Sequence, residues 1–99
     1  MMIGVMDISF KSRIAIAPDV LVSEVGDESV LLNLKSESYF GLDEMGTQMY
    51  KALTGSESVQ AAYDSLITEY EVEPEVLRRD LSGLIQKLLE HGLVEVSGE

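Results

Sequence analysis

The chain has 99 residues, 45% of them hydrophobic and 25% charged, which suits one small globular domain with a modest core and argues against disorder. Eighteen Asp and Glu against seven Lys and Arg leave a net charge of −11, a poor match for nucleic-acid phosphates or an anionic membrane surface. The absence of Cys excludes disulfides, thiolate nucleophiles and thiolate metal sites, and a single His narrows the chemistry further.

The apolar start, Met1 to Met6, is too short for a secretory signal and lacks its basic residues. No run approaches the roughly 20 apolar residues of a membrane helix, so a soluble cytoplasmic protein is expected. Residues 1–17 read as a loose or weakly paired N-terminal arm, strand-like across Arg13 to Ala17. Pro18-Asp19 then opens the domain proper, residues 18–96, and residues 97–99 should fray.

Val20 to Val25 is rich in branched residues, and Gly26-Asp27-Glu28 follows as a turn. Ser29 to Leu34 is a second such run, and Tyr39-Phe40-Gly41-Leu42 a third after the polar link Lys35 to Ser38. Together they read as an antiparallel meander. Alternation puts Val30, Leu32 and Leu34 on one face of the second strand, and this apolar set is expected to point inward.

At Asp43 the pattern becomes helical. Asp43 can cap a helix striped by Met45, Met49 and Leu53, which Thr54-Gly55 ends. Ser56 or Ser58 can cap a second, with Val59, Ala62, Tyr63, Leu66, Ile67 and Tyr70 recurring at three and four. Pro74 sits where a first helical residue belongs, and the third helix runs to His91 with Leu77, Leu81, Leu84, Ile85, Leu88 and Leu89 on one stripe. Gly92 supplies a left-handed closing residue, and Leu93 to Val96 can form a short last strand. The fold class is α+β: a three-stranded antiparallel sheet followed by three helices, resembling a winged helix-turn-helix.

Reactive groups are sparse. His91 lies at a helix C-terminus, where capping of exposed carbonyls explains it better than catalysis. No Ser sits in a nucleophile elbow, no glycine cluster can cradle phosphate, and the acidic run Glu69, Glu71, Glu73, Glu75 lacks the spacing of a calcium loop. No catalytic residue, metal or cofactor is assigned. As a DNA reader the third helix would set Arg78, Arg79 and Lys87 against Glu75, Asp80 and Glu90, and those charges cancel.

The third strand is more informative. As the last strand of a meander, Tyr39 to Leu42 should leave one edge unpaired unless the arm or the final strand covers it. Such an edge can accept an extended peptide as a further strand. Leu81 and Ile85 are candidates to line pockets beside it, with Arg78 at the rim. The plainer alternative is that these side chains are simply core.

The run Tyr39-Phe40-Gly41-Leu42-Asp43, followed by Gly46, Met49-Tyr50 and Leu53, comes after Val30-Leu31-Leu32-Asn33-Leu34 and before Leu88-Leu89-Glu90-His91-Gly92-Leu93-Val94. In order and spacing these pieces resemble the family of pyrroloquinoline quinone synthesis protein D, or PqqD. Stand-alone leader-binding proteins of lasso-peptide pathways share the pattern, and the likeness covers Pro18 to Val96. The resemblance implies a non-catalytic peptide chaperone. Such a protein binds the leader of a ribosomal precursor peptide and presents it to a modifying enzyme, either a radical S-adenosylmethionine protein or a leader protease. It implies that the backbone of Tyr39, Phe40, Gly41 and Leu42 pairs with the leader, flanked by Leu77, Arg78, Leu81 and Ile85. Two features depart from the family. Glu73 precedes Pro74 where relatives tend to have Asp, which predicts a weakly capped third helix. The arm is longer than the family core requires, a candidate to cover the groove or to mediate a homodimer. The competing reading is a winged-helix nucleic-acid-binding or regulatory protein.

A charge of −11 suits a basic partner or a basic leader segment. Leader affinity should therefore fall as salt rises from about 50 to about 500 mM, measured by fluorescence anisotropy. A flat response would remove charge from the account of recognition.

Overall fold

The computed structural model describes residues 9–98, so the first eight residues of the expected arm and Glu99 lie outside it. The element order is β1 (Arg13–Ile16), β2 (Val20–Val25), β3 (Glu28–Asn33), β4 (Ser38–Leu42), α1 (Glu44–Gly55), α2 (Val59–Glu69), α3 (Pro74–Glu90) and β5 (Val94–Ser97). The expected meander is present as an antiparallel sheet of order β2-β3-β4, followed by the three helices. A second, two-stranded sheet joins β1 to β5, with Ile14 opposite Val96 and Ile16 opposite Val94. The C-terminal strand therefore extends to Ser97, one residue past the expected domain end.

The part of the arm that is described is neither loose nor peripheral. Ile14 is fully buried in the core. The arm also closes the N-terminus of α2: Val59 N–H donates to Ser12 O and Gln60 N–H to Phe10 O, both at 2.8 Å, while Ala61 N–H donates to Ser58 Oγ at 3.1 Å. The N–H groups that open a helix have no partner within it, and here each finds one from residues 10–12 or from the Ser58 cap.

Local chemistry sets the other element boundaries. Gly26 has φ +63 at the first central position of the two-residue turn between β2 and β3, where a primed hairpin turn needs a left-handed residue. Asp43 Oδ1 accepts from Gly46 N–H at 2.8 Å to start α1. A Cβ on Gly46 would lie 3.1 Å from that same oxygen and 3.3 Å from Leu42 Cδ2, so any side chain there would crowd the cap. Glu73 makes no side-chain cap for α3, which begins on Pro74. Its other end is a Schellman closure: Leu93 N–H donates to Leu88 O at 2.9 Å and Gly92 N–H to Leu89 O at 3.0 Å, with Gly92 at φ +66.

The inward face of β3 is the opposite of the expected one. Ser29, Leu31 and Asn33 are buried, whereas Val30 is exposed, Leu32 half-buried and Leu34, beyond the strand, exposed. Two polar side chains face inward because each has a partner there. Ser29 Oγ and Thr47 Oγ1 of α1 hydrogen-bond at 2.8 Å. Asn33 Nδ2 donates to the carbonyls of His91 and Gly92, both at 3.1 Å, while its Oδ1 accepts from Lys35 and Ser36 N–H. Satisfied polar groups lose their burial penalty, and the hydrophobic count of the strand no longer decides its orientation.

The core joins both sheets to the helices. Its sealed centre includes Ile14, Leu31, Leu53, Leu81, Ile85 and Leu93. Ile14→Ala should cost about 2–5 kcal/mol of unfolding free energy in urea denaturation, as for a fully buried aliphatic side chain. A detachable arm would predict almost no change.

Candidate functional site: the free edge of strand β4

Strand β4 has β3 on one side and, among the described residues, no strand on the other. The final strand, one of the two candidates to cover this edge, is taken up by β1 instead. The register between β3 and β4 is continuous, from Ser29 opposite Leu42 to Asn33 opposite Ser38. Alternation along β4 then sorts its side chains. Leu42 is buried, Phe40 is half-buried, and Tyr39 and Gly41 are exposed on the outer face of the sheet.

The inner flank of this edge is built by the end of α3. The Phe40 ring lies 5.0 Å from the His91 ring at a tilt of 44°. His91 is fixed in turn, because its Nδ1 hydrogen-bonds Lys87 O at 2.9 Å, with the ring as donor. Asn33 grips the two carbonyls that follow α3, which ties the β3–β4 hairpin to the helix end. Neither Asn33 nor His91 figures among the site residues expected from the sequence, and Phe40 figures there only for its backbone. The one sign of Asn33 in the sequence is a polar residue set among leucines.

Of the four expected flanking residues, three are sealed. Leu77, Leu81 and Ile85 are 2%, 0% and 0% exposed, so they belong to the core and present no surface to a guest. Arg78 is exposed, but its guanidinium sits 4.5 Å above the Phe10 ring and 5.5 Å from that of Tyr63, which meet edge-on at 6.1 Å. This cation–π pairing ties α3 to α2 and the start of the described chain, not to Tyr39–Leu42.

Residues 28–94 match the family described as Coenzyme PQQ synthesis protein D (PqqD), well over half of the chain. The chain belongs to the PqqD family. It is similar to TbiB1, solved in complex with the TbiA(beta) leader peptide, at 29% identity and a TM-score of 0.77, over 86% of this chain and 99% of that one. It is also similar to a lasso peptide synthetase B1 complexed with the leader peptide, at 27% identity and a TM-score of 0.72, over 86% of this chain and 98% of that one. Among curated proteins, none matches.

Elsewhere this PqqD-family domain offers little for catalysis. Among the described residues no group of three His, Cys, Asp or Glu is placed to hold a metal ion. Burial raises the Tyr50 phenol above its ordinary value of 10.0, and its hydroxyl finds no hydrogen-bond partner among the described residues. The raised value means that the folded state resists losing this proton, so any stability linked to it is present below pH 10 and lost as pH rises further. Tyr50→Phe should match or exceed the parent in stability near neutral pH, because it removes an unpaired buried hydroxyl. The variant should also lose less stability above about pH 10 in chemical denaturation. A large loss at neutral pH would show that the hydroxyl is bonded after all.

Proposed function

We propose that this protein binds the leader of a ribosomal precursor peptide as an added strand on β4 and presents it to a modifying enzyme. The observation that carries the reading is the free edge itself: β4 lies outermost in its sheet and β5 is committed to β1. Backbone N–H and C=O groups along Tyr39 to Leu42 supply the ladder, and main-chain pairing of this kind needs no reactive side chain. The role is therefore non-catalytic.

The similarity to two proteins named with leader peptides supports a leader as the guest, and the lasso peptide synthetase B1 among them favours a leader protease over a radical enzyme as partner. The family match supports the same class of guest. We place the protein in the cytoplasm, where ribosomal precursors are made. Among the described residues no helix is long and apolar enough to cross a membrane. The flank of the groove is assigned to Phe40 and His91, with Leu77, Leu81 and Ile85 in the core and Arg78 outside the groove. Nucleic-acid binding finds no support in the comparisons, and one of the three α3 cations is engaged with aromatic rings.

Amide hydrogen exchange tests the reading directly, using the leader of a precursor encoded beside this gene. Binding should slow exchange at alternate amides between Tyr39 and Leu42, those not already bonded to β3. Protection confined to β2 or β5 would refute strand addition at this edge.

A further inference from the structure

Gly41 stands in the middle of the run that forms the free edge, and nothing among the described residues requires a glycine there. A strand glycine usually marks a left-handed residue, a bulge, or a close approach of other atoms. Gly41 is not among the residues with positive φ. The ladder passes through it without a bulge, with Phe40 opposite Leu31, Gly41 opposite Val30 and Leu42 opposite Ser29. A Cβ built on it would meet nothing within 4 Å. Gly46 and Gly92 differ, since crowding by Asp43 and Leu42 explains the first, and positive φ with Asn33 Nδ2 at 3.0 Å explains the second.

The space over Gly41 is bordered by apolar surface. Val30, directly across the ladder, is 38% exposed, and Tyr39, two residues along on the same face, is 73% exposed. We propose that Gly41 is the floor of a side-chain subsite. A strand added to β4 would lay one large aromatic or aliphatic residue across the bare backbone of Gly41, onto Val30 and beside Tyr39. The inference rests on the strand-addition reading and specifies the chemistry that the edge selects.

The geometry follows from sheet spacing. The guest residue opposite Gly41 points to the same outer face, as cross-strand neighbours do. Adjacent strands lie about 4.8 Å apart, so this side chain must cross one strand to reach Val30. A ring is long enough to do so, and any Cβ on residue 41 would stand in its path. Aromatic side chains are known to cover exposed edge glycines from a neighbouring strand in this manner. On this view Gly41 accepts a weaker β-strand in exchange for an open track over its own backbone.

The variant Gly41→Val separates this role from a purely structural one. Position 41 lies in a regular strand without positive φ and has open space, so the variant should fold with an unchanged or higher melting temperature. A displayed library of random 15-residue peptides is selected on the parent protein, and one enriched peptide is measured by fluorescence anisotropy. The selected peptides should share one aromatic or large aliphatic position. Replacing that residue by Ala should weaken binding to the parent about tenfold, yet change binding to Gly41→Val little, because the subsite is already filled. Equal losses on both proteins would overturn the subsite while leaving strand addition intact. Failure to enrich any peptide, or binding that leaves the Tyr39–Leu42 amides unprotected, would overturn strand addition and the subsite with it.

Discussion

The antiparallel pairing of β1 with β5 governs what the rest of the molecule can do. Strand β5 emerges from the Schellman closure of α3 with its own backbone groups to satisfy, and β4 is one edge on which it could have done so. Pairing from Arg13 opposite Ser97 to Ile16 opposite Val94, continued by Ala17 N–H to Leu93 O at 3.1 Å, meets that need on the other sheet. Ile14, Leu93 and Val94 are buried in the same step, so apolar burial and hydrogen bonding favour one arrangement. The described part of the N-terminal segment thus acts on the site from a distance: it occupies β5, and among the described residues β4 keeps an unpaired side.

Much of the fold was legible because the chemistry that marks it is local. The Asp43 and Ser58 caps, Pro74 at the start of α3, and Gly26 and Gly92 at positive φ each act within a few residues of the feature they create. The orientation of β3 was not legible, because its arbiters are remote. Ser29 meets Thr47, and Asn33 meets carbonyls at residues 91 and 92. Hydrophobic alternation within six residues cannot register such partners. The N-terminus of α2 shows the same limit, since nothing around Val59 announces that Phe10 and Ser12 will supply its acceptors. For the site, the meander implied that the last strand is an edge. Sequence spacing could not tell whether the α3 stripe had surface to spare. Its five buried residues, Leu77, Leu81, Leu84, Ile85 and Leu88, are all consumed by the core.

An open edge beside an exposed apolar face is an aggregation hazard in most small domains. Here Leu21, Val25, Val30 and Tyr39 all lie on the outer face of the sheet that ends in β4, each more than a third exposed. The surrounding charge offsets the hazard. A chain carrying −11 repels its own copies, so edge-to-edge pairing of two molecules is opposed by like charge, whereas a neutral or basic extended peptide is not. Acidity therefore sorts guests before any side chain is read.

Main-chain pairing alone cannot choose among peptides, since nearly every extended segment offers the same donors and acceptors. Selectivity must arise from the two flanks of the edge, and these are unequal. On the inner flank, Phe40 packs on the His91 ring, His91 is held by Lys87 O and the Asn33 grip, and the α3 leucines are already consumed by the core. That wall is preformed, so it rejects by steric conflict more than it attracts. The outer flank is open and apolar and has no partner of its own among the described residues, so burying it adds affinity without disturbing the core. On the proposed reading a guest would be aligned by the backbone, screened on the inner side and held on the outer one. This division follows from which residues of β4 the helices have already claimed.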